Sequence, residues 1–248
     1  PVIFWIKQQI YKWVNKKVAR KSAHIITISD FVKNDLIGFT GISPDKITVT
    51  LESADKLPKG NEPVKSLIGK KFIMYVGRPT PHKNLRRLID AFALLQKKYP
   101  KLTLALAGKK DSNYARHEAY VNEHGIKNVV FTDFISDEQL RWMYENTAVY
   151  CFPSLSEGFG LPGLEAMLHG APVASSTATC LPETHGDAAC YFDPYDVEDI
   201  ARVIDELLTN QPLRNELIAK GKKHAHSFSW QRMAEQTLAV YNKYGRKL

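Results

Sequence analysis

The hydrophobic pattern changes period along the chain. Between Phe72 and Phe192, short and nearly continuous apolar runs alternate with stretches whose apolar residues recur every three or four positions. The runs are Phe72–Val76, Leu102–Ala107, Val129–Phe131, Ala148–Phe152, Pro172–Ser175 and Ala189–Phe192. Continuous apolar strands are those buried on both faces of a parallel sheet. The first run is followed by a helical stripe of Leu85, Leu88, Ile89, Phe92 and Leu95, with Asn84 as its cap and Pro100 beyond its end. A polar helix near 114–124 follows the second run. Ser136-Asp-Glu-Gln139 is a capping box that opens a helix carrying Leu140 and Tyr144. Pro162–His169 reads as a helix, and 197–209, 213–226 and 230–244 close the chain as helices. Strand–helix alternation of this kind predicts an α/β protein, a Rossmann-like parallel sheet with helices on both faces. Such sheets bind ligands at the carboxyl ends of their strands. Chemistry is therefore expected in the loops Gly77–Asn84, Gly108–Asn113, Asp133–Ser136 and Pro153–Pro162.

The first 71 residues are less regular. Ile3, Ile6, Ile10, Val14 and Val18 put an apolar stripe on a helix over 2–19, widened by Trp5, Tyr11 and Trp13. His24–Ile28 is a short strand. Ser29-Asp30 offers an N-cap for a helix that runs to Gly38, and Ile47–Leu51 is a second strand. Residues 55–71, with Pro58, Gly60, Pro63, Gly69 and many lysines, read as a linker.

Charge adds one feature to this picture. The net charge over 248 residues is +8. Residues 1–24 hold Lys7, Lys12, Lys16, Lys17, Arg20 and Lys21 and no acid, so the other 224 residues are nearly balanced. A nucleic-acid-binding surface would spread its bases over the fold, so no nucleic-acid partner is expected. Three widely spaced cysteines exclude a disulfide scaffold and point to packing roles. No apolar run reaches the ~20 residues of a membrane span. The first residue is Pro1 and no secretory signal is visible, so a cytoplasmic chain cut from something longer is expected.

Two loops carry the candidate chemistry. In Gly77-Arg78-Pro-Thr-Pro-His-Lys83-Asn84, Gly77 admits close backbone approach, and two cations stand just before a helix N-terminus. That arrangement suits a diphosphate. In Glu157-Gly-Phe159-Gly160-Leu161-Pro-Gly-Leu-Glu165, two carboxylates flank a glycine-rich turn, with Glu165 expected in the first helical turn. Carboxylates accept hydrogen bonds from hydroxyls, which sugars and riboses supply. The chain has no Asp-x-Asp pair, so a divalent metal of that kind is not expected.

These residues resemble a known family. Gly77-Arg78 with Lys83-Asn84, the Glu157-x7-Glu165 motif, Gly170-Ala-Pro-Val173, Leu181-Pro-Glu183, Gly186-Asp-Ala-Ala189, Phe192-Asp-Pro194 and Phe228-Ser-Trp230 are similar to the nucleotide-sugar-binding half of retaining glycosyltransferases of family 4. These have the GT-B fold. The resemblance implies one half of a GT-B architecture. Residues 1–52 would be a remnant of the acceptor-side domain and linker strand, 53–228 the Rossmann-like donor domain, and 229–248 a C-terminal helix. It also implies roles. Arg78 and Lys83 would hold the donor diphosphate beside Gly77, and Glu165 the ribose. Glu157 would face the donor sugar with backbone at Phe159, Gly160 and Leu161, and residues near Phe134 and Ile135 would cradle the base. The donor would be a GDP- or UDP-sugar, with GDP-mannose among the candidates. No metal or other cofactor is implied.

The implied acceptor is a glycan or lipid-linked glycan held by the other domain, so residues 1–248 alone are expected to bind donor without transferring. Two alternatives stand beside this: a GT-B nucleotide-sugar epimerase and a non-catalytic nucleotide-sugar-binding domain. The basic helix also has two readings, packing on another domain or leaning on an anionic bilayer at the inner face of the membrane.

Overall fold

A computed structural model describes residues 2–60 and 62–245. The order opens with α1 (Val2–Lys21), β1 (Ile25–Thr27), α2 (Asp30–Thr40) and β2 (Ile47–Val49). It continues with β3 (Phe72–Val76), α3 (Leu85–Lys98), β4 (Thr103–Ala107), α4 (Ser112–Glu123), β5 (Val129–Asp133), α5 (Asp137–Asn146) and β6 (Val149–Phe152). Then come α6 (Leu161–Leu168), β7 (Val173–Ser176), α7 (Leu181–His185), β8 (Ala189–Phe192), α8 (Val197–Thr209), α9 (Gln211–Ala225) and α10 (Trp230–Tyr244).

The described residues form two compact units. One runs up to Ser53 and resumes at Phe228; the other runs from Ala54 to Ser227. In the first, β1 and β2 pair in parallel, with Ile25 opposite Ile47. Ala19, Ile42 and Ile47 are its buried core. Ser29 caps α2 by accepting from the Val32 amide, as its sequence position foretells. The apolar stripe of α1 is exposed, with Ile3 at 71 %, Trp5 at 60 % and Trp13 at 61 %. Tyr244 stacks on His24 with ring centroids 4.0 Å apart, whereas Tyr241 is exposed. Among the described residues, no helix is long and apolar enough to cross a membrane.

The second unit is a six-stranded sheet in the order β5-β4-β3-β6-β7-β8, parallel throughout. Alternation along each strand serves two layers. Ile73, Tyr75, Leu104 and Leu106 share a core with Leu88, Ile89 and Phe92 of α3 and Ile200, Ile204 and Leu207 of α8. On the other face Tyr150 meets Tyr144 of α5, and Phe152 meets His185 of α7. α6 and α9 pack so closely that a Cβ on Gly221 would lie 3.0 Å from Met167 Cγ. The capping box at Ser136 and Gln139 forms on both sides.

Candidate functional site

The strand order fixes where the loops meet. From β3 the chain steps outward to β4 and β5, then crosses to the other side of β3 to make β6, β7 and β8. The carboxyl ends of β3 and β6 thus flank the point where the winding reverses, the crevice in which open α/β sheets bind ligands. The two loops leaving it touch: the Leu155 amide donates to the His82 carbonyl at 2.7 Å. Asn84 joins them more firmly. Its Nδ2 donates to the Pro153 carbonyl at 3.0 Å and to the Pro194 carbonyl at 2.8 Å. Its Oδ1 accepts from Arg87 Nη1 at 2.9 Å. Asn84 occupies the N-cap position of α3 but makes no side-chain cap bond, because its backbone is left-handed at φ 59°. Asparagine tolerates that conformation, and its buried amide ties three segments together instead.

The Gly77–Arg78 turn is held from below by two phenols. Tyr114 Oη lies 3.0 Å from the Gly77 carbonyl and 2.9 Å from that of Ala107. Tyr75 Oη donates to the Arg78 carbonyl at 3.2 Å. Gly77 has φ +141°, and a Cβ there would lie 2.8 Å from Tyr75 Oη, so a side chain would both strain the backbone and dislodge the phenol. Burial raises the pKa of both phenols, which keeps them donors. Arg78 is exposed at this edge. Lys83 follows in the turn Pro81–Lys83, and its Nζ meets Glu157 Oε1 at 2.6 Å. The pair is largely sheltered, with 21 % and 13 % of the side chains exposed. One cation of the first loop is therefore already bonded to one carboxylate of the second.

The glycine turn after β6 is anchored through its backbone. The Glu157 amide donates to Thr179 Oγ1 at 3.1 Å, and Cys180 Sγ donates to the Glu157 carbonyl at 3.3 Å. Phe159 is buried, Gly160 is left-handed at φ +102°, and Leu161 begins α6. Only backbone from this turn can line the crevice on Phe159's part. Glu165 lies in the second turn of α6 rather than the first, because the helix starts at Leu161. Tyr144 Oη donates to Glu165 Oε2 at 3.2 Å. Burial pushes the Glu165 carboxyl above its ordinary value, the Tyr144 bond opposes this, and the charges of Asp137 and Asp55 add to it. His169 steadies the same helix end. Its Nε2 accepts from the Leu57 amide at 3.2 Å, so Nδ1 carries the proton and donates to the Glu165 carbonyl at 2.7 Å.

Phe134 and Ile135 sit just past β5. Asp133 fixes their direction: its backbone is left-handed, and its Oδ1 accepts from the amides of Lys110 at 2.9 Å and Phe134 at 2.8 Å. Those bonds hold its carboxyl below the usual range. Phe134 is 79 % exposed and lines, with Ile135, Gln139, Val64 and Ile68, a groove of about 690 Å³. Glu62 closes one side, accepting from Ser136 Oγ at 3.0 Å and Gln139 Nε2 at 3.1 Å. His82 is exposed, 3.4 Å from Thr80 Oγ1. Among the described residues, no group of three His, Cys, Asp or Glu side chains is placed to hold a metal ion.

The structure thus brings Gly77, Arg78, Lys83, Glu157, Phe159, Gly160, Leu161 and Glu165 to the edge where β3 and β6 end, and Phe134 and Ile135 to the edge where β5 ends. Sequence reasoning missed Tyr75, Tyr114, Thr179 and Cys180, whose bonds to loop backbone carry no sequence signature. Sequence placed Tyr144 on the helix opened by the capping box and gave no sign that its hydroxyl finds a carboxylate, since a helical stripe looks alike either way.

Comparison with known proteins gives this edge its context. The family model for glycosyl transferases group 1 matches residues 59–224. The chain is 32% identical over 231 residues to an O-antigen chain mannosyltransferase B of Escherichia coli, which covers 88% of this chain and 60% of that protein. It is 32% identical over 250 residues to an MMP alpha-(1->4)-mannosyltransferase of Mycolicibacterium hassiacum, covering 97% of this chain and 60% of that protein. The chain therefore spans about three-fifths of the length of these relatives. Among solved structures, a sucrose-phosphate synthase from Thermosynechococcus elongatus superposes with a TM-score of 0.83 at 22% identity, over 95% of this chain and 61% of that one. Anabaena HepE in complex with UDP and glucose superposes with a TM-score of 0.79 at 20% identity, over 91% and 65%. These likenesses show the fold, the Rossmann-like sheet of a GT-B architecture. With the family model covering most of residues 54–227 and the Glu157-x7-Glu165 motif at the sheet's switch point, the chain belongs to the group 1 glycosyltransferases.

Proposed function

We propose that this chain holds the donor site of a retaining glycosyltransferase, which moves a sugar from a nucleotide sugar to a glycan or lipid-linked acceptor. The observation that carries the proposal is the Lys83–Glu157 ion pair at 2.6 Å, which joins the cationic loop to the carboxylate loop at the switch point of the sheet. The two relatives above are named mannosyltransferases, which favours a mannosyl donor such as GDP-mannose. HepE was solved with UDP and with UDP-glucose, which keeps UDP-sugars in view.

In this reading the donor diphosphate lies against Arg78, Lys83 and the turn at Gly77. Negative charge grows on the leaving phosphate as the glycosyl bond breaks, and these cations, once drawn onto the diphosphate, stabilise it. Glu165, held by Tyr144, accepts from the ribose hydroxyls. Glu157 and the backbone from Phe159 to Leu161 face the sugar. Phe134 and Ile135, at the mouth of the neighbouring groove, cover the base. No metal or cofactor is assigned a part, since the side chains themselves supply the positive charge. The acceptor and the transfer step belong to the whole protein. The exposed apolar side of α1, with Trp5 and Trp13 among its bases, supports a peripheral contact with an anionic bilayer, which vesicle flotation tests.

Calorimetry of residues 1–248 against UDP, GDP and ADP tests the donor site. One diphosphate is expected to bind with unit stoichiometry and more tightly than its nucleoside. Absence of binding by all three overturns the proposal.

A further inference from the structure

Behind the glycine turn lies a histidine that the donor reading leaves unused. His185 ends α7 and is fully buried, with its ring 5.7 Å from that of Phe152. Nδ1 faces Ser175 Oγ at 3.2 Å, and Nε2 faces the Gly160 carbonyl at 3.3 Å. A carbonyl only accepts, so Nε2 carries the proton and Nδ1 is left as an acceptor beside the Ser175 hydroxyl, which is shared with the Ser176 carbonyl at 3.3 Å. Burial lowers the pKa of the ring to about 4, so it is neutral at neutral pH. The residue before it acts on the adjoining peptide: Thr184 Oγ1 lies 2.5 Å from the Phe159 carbonyl and 2.7 Å from the Cys180 carbonyl, between which its one proton is shared.

These two contacts fix more than two carbonyls. Among the described residues every peptide bond is trans, so in each of these peptide planes the C=O and the following N–H point in opposite directions. Holding the Phe159 carbonyl inward turns the Gly160 N–H outward. The Gly160 carbonyl is held inward by His185 together with the Gly163 amide, which donates to it at 3.0 Å, and this does the same for the Leu161 N–H at the start of α6. The fit is tight. A Cβ on Gly163 would lie 2.2 Å from His185 Nε2, and one on Gly160 would lie 3.3 Å from the same nitrogen. The glycines of this turn are therefore also the space that the imidazole occupies.

We propose that His185, together with Thr184, is a positioning residue for the donor: from behind the turn it aims the Gly160 and Leu161 amides at the donor diphosphate and sugar. The inference rests on the donor-site reading above. His185 touches no ligand itself. Its side chain bears on where the Leu161 amide points, and Thr184 does the same for the Gly160 amide, which the carboxylates and cations of the front edge do not do. A merely structural histidine would affect stability alone.

Three variants separate these roles. His185→Leu fills the space without a donor, His185→Gln keeps an N–H near the Nε2 position, and Thr184→Val removes the second contact at constant shape. Each is titrated with UDP, GDP, uridine and guanosine, by calorimetry and ligand-observed NMR, alongside its thermal midpoint. His185→Leu is expected to bind the cognate diphosphate about tenfold more weakly, the size of one charge-assisted hydrogen bond, while nucleoside affinity stays within about twofold. His185→Gln should recover most of the loss, and Thr184→Val should follow His185→Leu in direction. The inference is overturned if His185→Leu keeps wild-type diphosphate affinity, if it weakens nucleoside and diphosphate equally, or if Gln does no better than Leu. Should the leucine variant fail to fold, Thr184→Val decides by the same ratio. If wild-type protein binds none of UDP, GDP and ADP, the donor-site reading itself falls and takes this inference with it.

Discussion

Glu157→Gln should separate the two jobs of the Lys83–Glu157 pair. In the unliganded protein Lys83 Nζ lies 2.6 Å from Glu157, so a diphosphate that takes Lys83 must first compete with that carboxylate. Exposed ion pairs are worth up to about 1 kcal/mol, and removing one partner of a buried pair costs about 3–5 kcal/mol. With 21 % and 13 % of the side chains exposed, this pair lies between, at about 1–2 kcal/mol. Glutamine still accepts a neutral hydrogen bond worth roughly half of the charged one. The substitution therefore frees about 0.5–1 kcal/mol, which makes plain UDP or GDP bind about two- to fivefold more tightly. The sugar nucleotide should behave oppositely, because its sugar loses the charged acceptor that faces it. Calorimetry of wild type and variant with UDP, GDP, UDP-glucose and GDP-mannose reads both effects. An equal loss for the diphosphate and its sugar conjugate would refute the assignment of Lys83 to phosphate and Glu157 to sugar.

The other predictions concern the same edge. Arg78→Ala and Lys83→Ala should each weaken diphosphate binding by about 1.5–3 kcal/mol and nucleoside binding far less; equal losses would mean that they act through folding. Gly163→Ala should lower stability by about 1–3 kcal/mol in denaturant titration, because its methyl group would overlap the His185 imidazole, and a second His185→Ala change should relieve part of that cost. Glu165→Gln should weaken nucleotide and nucleotide sugar alike. It should also flatten the stability–pH curve: the native carboxyl titrates above its ordinary value of 4.5, so the folded state binds more protons there and stability falls as pH rises through that window. Thermal midpoints with identical pH slopes for variant and wild type would contradict this.

Much of this architecture is legible in the sequence for a simple reason. A strand buried on both faces must be apolar throughout, so Phe72–Val76 and Leu102–Ala107 announce themselves, and the glycines that follow mark the crevice. The Ser136–Gln139 box works because both halves of a cap lie within four residues. What stayed hidden depends on contacts distant in sequence. Asn84 looks like any helix cap, yet its amide reaches Pro153 and Pro194. α7 is five residues long, too short for a periodic signal, although Thr184 and His185 at its end hold the glycine turn. The start of α6 fell at Leu161 rather than Pro162, and that shift of one residue moved Glu165 into the second turn.

A nucleotide-sugar donor site at the edge where β3 and β6 end must hold the donor in one particular way. A crystal structure of this chain with GDP-mannose or UDP-glucose, whichever binds more tightly, tests it most directly. The diphosphate should lie within hydrogen-bond distance of Arg78 and Lys83, with a ribose hydroxyl on Glu165 and the Lys83–Glu157 bond lengthened or broken. A nucleotide bound elsewhere, or one bound here with the 2.6 Å pair intact and Glu165 untouched, would contradict it.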